Sequence, residues 1–373
     1  QNAQGLVGQE LVKLSTTPVY ENGALVPRPM TLRVFLARTP QGWQVMPGGF
    51  ARVGKGSDTT AISMRSGGSV ADVWIVSDRP VEPVSMLPPR SAPFVRAKAG
   101  PLPARAADNL FWLGRYVERT EGLLRLARAY NSRLDEAASE PLLASIRSHL
   151  KTYHVDATEA FPDGLHATLA SAVYSASQIR DRFSTDGWAA LKDMEKSMTR
   201  IAKTAEAGND AALVMSVMLR KIAGFSGLVH ENMYRAAGWQ FLTIGRSLER
   251  AAMMTDLMAT VADAKAPAGG LDLAIEVGDS IMVHRQRYDL LTSRESVVDL
   301  LGLDESNPRA VRFHLEVIAQ RVDDLCRDHQ PGHLAVFQAQ VAVLKNTFAA
   351  HTVYSLDTKA LRTHHQRILS LSV

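Results

Sequence analysis

"LGRYVERTE" at 113–121 and "IGRSLERAA" at 244–252 carry the same string, Gly-Arg-x-x-Glu-Arg, inside apolar helical segments. At 100° per residue, Arg115, Glu118 and Arg119 share one side of the first segment with Phe111 and Trp112. Leu110, Leu113, Val117 and Leu124 gather on the far side as a core stripe. In the second copy Phe241, Ile244 and Leu248 form the core stripe. Trp239, Leu242, Met253 and Leu257 surround Arg246, Glu249 and Arg250. A helix apolar nearly all round is buried on several faces. Charges carried into such surroundings must be paired, because a lone buried charge costs several kcal/mol.

Gly114 and Gly245 stand mid-helix, where each costs roughly 1 kcal/mol against alanine. The offset to expect is close approach of another backbone. The two helices are therefore expected to cross near the glycines, related by an approximate internal two-fold. Arg115–Glu118 and Arg246–Glu249 would then face a shared polar centre. Three uses of that centre stay open. The charges can be surface i,i+3 and i,i+4 pairs worth about 0.2–0.5 kcal/mol each. They can be a buried ion network that holds the bundle together, or they can bind an anion or a metal.

Outward from these strings, everything after about residue 105 is helical in pattern. Nine helices are expected, at 106–133, 140–153, 164–183, 186–205, 210–236, 238–263, 270–291, 307–328 and 332–356. Asp186 and Asn307-Pro308 supply start signals, and "APAGG" at 266–270 separates two helices. Short connections between many helices predict a helical bundle over 106–373. Residues 86–105 hold five of the 17 prolines and read as a semi-rigid linker. Residues 1–85 read as β structure. "TLRVFLAR" (31–38) alternates, "WQVMPGGFARVG" (43–54) follows it as a hairpin partner, and "ADVWIVSD" (71–78) is a third strand. Gly48-Gly49 and Gly67-Gly68 mark bends or close backbone approach. The fold class is mainly α with a small β-rich front.

Composition narrows the function classes. The 373 residues are 46% hydrophobic and 21% charged, enough for a sizeable core and unlike a disordered chain. A single cysteine, Cys326, excludes an internal disulfide framework and a multi-cysteine metal site. It fits a reducing compartment, and a cytoplasmic location is expected. Cys326 itself is expected to be a buried small hydrophobe. No uninterrupted run of about 18 apolar residues is present, so no membrane span is expected. The opening "QNAQGLVGQELVKLS" lacks a leader pattern and a strand or helix entry signal. It reads as the tail of a longer chain. Residues 1–105 hold 12 basic and 6 acidic residues, against 30 and 32 in the rest. The basic front suits an anionic ligand such as a nucleotide or acyl-phosphate. Its arginines are scattered singly without interleaved aromatics, so a nucleic-acid partner is not expected.

Other constellations are weaker. "VHRQRYD" (283–289) sets Arg287 and Tyr288 where they can contact a phosphate or carboxylate, or simply form a solvated basic face. "HEN" (230–232) puts its side chains on different helix faces. "THHQR" (363–367) is expected to be exposed. No Walker loop, GxSxG elbow or HExxH occurs, and no metal site is expected.

The long strings carry a resemblance. "NLFWLGRYVERTEGLLRLARAY" (109–130), "IRDRFS" (179–184), "ENMYRAAGWQFLTIGRSLERA" (231–251), "RQRYD" (285–289) and "LLGLDESNPRAVRFHLE" (300–316) resemble the bacterial alpha-E domain over nearly all of 104–373. "ELVKLSTTP" (10–18), "PRPMTLRVFL" (27–36), "WQVMPGGFARVG" (43–54) and "RSGGSVADVWIVSD" (65–78) resemble the last part of a circularly permuted ATP-grasp domain. The chain therefore looks like the end of a fusion of the two.

The ATP-grasp resemblance implies an enzyme that uses ATP and Mg²⁺ to activate a carboxylate as an acyl-phosphate, which an amine then attacks. By similarity, Arg33 and Arg52 occupy places suited to phosphate or acyl-phosphate contact. The pattern departs at Ala71, where lysine is expected before Asp72. The nucleotide-holding lobe and the Mg²⁺ carboxylates are expected upstream, so this chain by itself is not expected to bind ATP tightly. Implied partners are that ATP-grasp lobe or a neighbouring ligase, and transglutaminase-like or peptidase-like proteins. The function expected is a component of an amide- or peptide-ligase system, the helical domain binding substrate, product or partner. One alternative is a non-catalytic helical interaction module with a vestigial β segment. Another is a helical domain with its own activity on Glu118 and Glu249.

Overall fold

In the first β-hairpin, Thr16–Glu21 (β1) returns as Ala24–Arg33 (β2) through Asn22-Gly23, both at positive φ. Asn-Gly suits the type I′ turn, whose central residues both need that conformation. The signal is present in the sequence as "ENG", and β1 was not among the expected strands. The computed structural model describes residues 10, 12–39, 42–56, 68–80, 100–135, 139–263, 265–288, 291–328 and 333–372. The chain separates into two compact units, residues 1–98 and 99–373.

In the first unit β2 pairs antiparallel with Gly49–Val53 (β5), and β5 with Ser69–Val73 (β6), giving the sheet order β1-β2-β5-β6. Leu36–Thr39 (β3) and Gly42–Val45 (β4) form a separate ribbon. The expected strands at 31–38 and 43–54 are therefore each broken in two. The cause lies at Pro47-Gly48. Proline cannot donate to the ladder, and Gly48 has φ +131. Gly49 passes so close to β2 that an added Cβ would lie 2.2 Å from the Arg33 carbonyl oxygen. This is the backbone approach expected of the glycine pair. The strand expected at 71–78 ends at Val73, because its partner β5 begins at Gly49 and leaves Trp74 without a neighbour. Gly67, and residues 86–99 of the linker expected at 86–105, lie outside the described residues.

The second unit is built from helices. Ala104–Asp135 (α1), Glu140–Thr152 (α2), Asp163–Ser177 (α3), Thr185–Ile201 (α4), Asn209–Asn232 (α5) and Ala237–Val261 (α6) follow one another. Gly270–Val277 (α7), Ile281–Arg287 (α8), Arg294–Val297 (α9), Val311–Asp328 (α10), His333–Ala349 (α11) and Thr358–Ser370 (α12) complete it. Nine expected helices become twelve among the described residues, for local reasons. The run 270–291 breaks after Gly278 at Asp279, which takes φ +51. The segment 294–303 was missed; it is a short helix running into a π-helical turn at 298–303. The helix expected to 356 ends at Ala349, and α12 starts afresh with Asp357 as N-cap. Ser184, not Asp186, caps α4.

At the centre α1 and α6 lie side by side. Gly114 meets Leu242 and Arg246, and Gly122 meets Met253, so the two helices run parallel. Helices α3 and α5 pack on α1, and α10 and α12 pack on α6. Helix α5 is long and apolar enough, with mean hydropathy 1.5 over 18 residues, to cross a membrane by length and composition alone. Here it packs against α1 and α4.

Candidate functional site: the crossing of α1 and α6

The two glycines bring the helices together. A Cβ on Gly114 would lie 2.2 Å from the Leu242 carbonyl oxygen, and one on Gly245 would lie 2.1 Å from that of Phe111. One turn further on, each helix sends its glutamate to the arginines of the other. Glu249 accepts from Arg115 Nε at 2.6 Å, from Arg119 Nε at 2.6 Å and from Arg119 at 3.0 Å. Glu118 accepts from Arg246 Nε at 3.0 Å, from Arg250 Nε, and from the second Arg250 nitrogen at 2.6 Å. The pairing is reciprocal, as the approximate two-fold requires. The bonds run between the helices and not within each, as the surface-pair alternative would have them, because i and i+3 side chains here both point at the neighbouring helix.

The surface-pair reading is overturned by burial. Glu118 and Glu249 are 3% and 2% exposed, and Arg115 is 3% exposed. The pattern extends to residues that sequence reading missed. Glu121 accepts from Arg309 at 2.7 Å and from Arg125 at 3.1 Å. Arg125 stands at i+4 from Glu121 and could have been read from the helix. Arg309 arrives from a loop 188 positions away and has no local signal. The Arg115 guanidinium also bonds Ser372 and lies over the rings of Phe111 and Trp112.

Electrostatics favour the ionised form of Glu118 and Glu121. Burial pushes Glu118 up, but the Arg250 and Arg246 guanidiniums outweigh it and hold the group at about 2. Glu121 is also held below its ordinary value, against burial and the nearby Glu118, by Arg250 and Arg309. Burial and the crowding Arg250 lower Arg309. His314, fully buried beside these guanidiniums, is pushed well down, first by burial and then by Arg250. Every oxygen of Glu118 and Glu249 accepts a guanidinium hydrogen bond, so both carboxylates are engaged inside the network. The adjoining cavity of about 30 Å³, lined by Glu118, Arg250, Arg309 and His149, has room for a water molecule.

The remaining candidates stand elsewhere. Tyr288 donates to Asp299 at 2.6 Å and Arg287 pairs with Asp304, so both have acidic partners of their own. Burial and that hydrogen bond raise the Tyr288 phenol. His364, expected at the surface, is buried and sits 3.0 Å from His351. Cys326 is half-buried at the edge of the core. In the β unit, Arg33 lies opposite Phe50 and Arg52 opposite Thr31, which sets both arginines diagonally on one sheet face. Arg33 lies over the Phe50 ring, 5.4 Å from its centroid. Among the described residues neither arginine has a carboxylate partner.

Comparison with known proteins follows the same division. Residues 1–54 match the model for circularly permuted ATP-grasp type 2. The uncharacterized protein Rv2567 of Mycobacterium tuberculosis is 25% identical over 369 residues, covering 86% of this chain and 41% of the relative. The uncharacterized protein Mb2434c of Mycobacterium bovis is 32% identical over 73 residues, 20% of this chain and 13% of the relative. The chain thus spans about two fifths of the length of the first of these relatives. No solved structure matches it. Residues 102–372 match a model described as a predicted alpha-helical domain with a conserved ER motif. Glu-Arg occurs in this sequence at 118–119 and 249–250, the two pairs at the helix crossing. The chain belongs to the Alpha-E family, joined at its front to a segment of a circularly permuted ATP-grasp domain.

Proposed function

We propose that the chain serves an ATP-grasp-type amide- or peptide-forming system. In this reading a carboxylate is activated by ATP as an acyl-phosphate, and an amine displaces the phosphate. The observation that carries it is the succession, in one chain, of an ATP-grasp segment at 1–54 and an Alpha-E domain at 102–372. Arg33 and Arg52 fit the anionic part of such chemistry: they are exposed, without a carboxylate partner among the described residues, and on one sheet face. Planar guanidinium forks bind phosphate oxygens bidentately. The described residues hold no group of three or more His, Cys, Asp or Glu suited to a metal. Arg33 and Arg52 fit the phosphate part of that chemistry; guanidiniums are not ligands for the Mg²⁺ that the ATP-grasp family implies.

The helical domain contributes binding. Its apolar cavity of about 520 Å³ lies at the N-terminal ends of α1 and α6, lined by Phe111, Phe241, Ile244 and Phe337, with Asp108 also in the lining. Cavities of that size and character take small apolar groups or side chains. A non-catalytic role for the Glu-Arg centre is favoured by the saturation of its carboxylates. Partner enzymes of transglutaminase-like or peptidase-like type and a cytoplasmic setting belong to the same proposal. The test is mass spectrometry of the complete gene product incubated with ATP and amino-acid pools. ADP, phosphate and a condensed product are expected together; ATP left intact across the pools would remove the ligase reading.

A further inference from the structure

The β unit turns much of its apolar surface outward. Among its described residues only Ala51 and Val53 are buried hydrophobics. In the β3–β4 ribbon, Leu36 lies opposite Val45 and Trp43 opposite Arg38, so Leu36, Val45 and Trp43 share one face. All three are exposed, Trp43 by 69%. Among the described residues, strand β6 has β5 on one side only. Beyond it Trp74 and Val76 stand 85% and 93% exposed. Scattered apolar residues are normal on a surface. An apolar ribbon face combined with an open strand edge instead marks an interface or an aggregation site.

We propose that the ribbon face of Leu36, Trp43 and Val45, with the open edge of β6 and its Trp74–Val76 continuation, is the seam on which the remainder of an ATP-grasp domain packs. This rests on the ATP-grasp reading of the front segment. The occupant adds a strand beside β6 and lays an apolar surface over the ribbon. Two facts select it. The ATP-grasp match covers only 54 residues, too few to enclose a nucleotide, and the first relatives hold well over half their length outside the matched region. The ribbon face carries a single charge, Arg38, which suits an apolar sheet surface and not a polyanion.

Hydrogen exchange tests the seam. The complete gene product, with the neighbouring ATP-grasp chain added if that lobe is encoded separately, is compared with the 373-residue chain alone. Backbone amides of Trp74–Val76 are expected to exchange at least about 100-fold more slowly in the former, and Trp74→Ser together with Trp43→Ser is expected to abolish the difference. Equal exchange in both overturns the proposal. Slowing that rises with the concentration of the 373-residue chain alone assigns the surface to a second copy and also overturns it. Protection without any ATP-dependent product keeps the seam and removes the ligase reading; product without protection removes the seam.

Discussion

Gly114 and Gly245 each lie against the other's helix, with room for a hydrogen and none for a methyl group. The two contacts are near-equivalent: a Cβ on either would come within 2.2 Å of a facing carbonyl oxygen. That approach places the next turn of each helix, Arg-x-x-Glu-Arg, within hydrogen-bond reach of its counterpart. The glycines therefore set the distance on which the whole polar centre depends.

Gly245→Ala is expected to destabilise the protein although alanine is the better helix former. The added methyl forces α1 and α6 apart, and overpacking of this kind costs about 1–3 kcal/mol. Urea unfolding of the variant measures it. A gain of stability, as propensity alone predicts, would contradict the close crossing.

Removing Glu249 leaves Arg115 buried with a lost partner. Glu249→Ala is expected to cost about 3–5 kcal/mol. Glu305 pairs with Arg312 but is largely exposed, so Glu305→Ala is expected to cost less than about 1 kcal/mol. Equal losses for the two, measured by denaturant titration, would show that the centre is not desolvated in solution.

Acid is expected to act in two ranges. Burial, His351 and Arg367 lower His364 to about 4. The unfolded chain then takes up protons first, so stability is full above the ordinary histidine range and is lost as pH falls toward 4. Glu118, held at about 2, contributes stability that is present above the ordinary carboxylate range and lost as pH falls toward 2. Thermal melts from pH 8 to pH 3 should show the first loss, and His364→Phe should flatten the curve between pH 6.5 and 4. An unchanged slope in that variant assigns the loss to other groups, such as His314, which burial and Arg250 push well down.

Arg52→Ala in the complete gene product is expected to slow ATP-dependent condensation about 100-fold, the scale for losing one preorganised donor. Melting temperature should stay constant, since the side chain is exposed and has no carboxylate partner among the described residues. A variant with normal turnover would take Arg52 out of the site.

Arg294 shows how a structural role can escape a sequence. It donates to the carbonyls of Ala262, Val353 and Leu356, tying three segments together. Arg294→Lys keeps the charge but loses the planar fork. It is expected to destabilise by about 1–3 kcal/mol, because partly buried carbonyls lose their donor. Loss of less than half of that in calorimetry would mean water replaces the guanidinium.

Local chemistry made much of this chain legible from its residues. The apolar surroundings of Arg246, Glu249 and Arg250 announce burial, mid-helix Gly114 and Gly245 announce a crossing, and the repeat announces a two-fold. Helical periodicity and the proline-rich stretch separate the all-α part from the β front. Breaks governed by one or two residues were harder to read: Pro47-Gly48 splitting the strands, Asp279 splitting a helix, Asn22-Gly23 closing an unnoticed hairpin. Tertiary structure alone decided which arginine serves which glutamate. Side chains at i and i+3 share a helix face, so sequence spacing cannot tell a pair within one helix from two pairs between parallel helices. It also brought Arg309 to Glu121 from 188 positions away and gave Arg287 and Tyr288 acidic partners of their own. Those outcomes depend on which helix faces meet, and that is settled by packing over the whole domain.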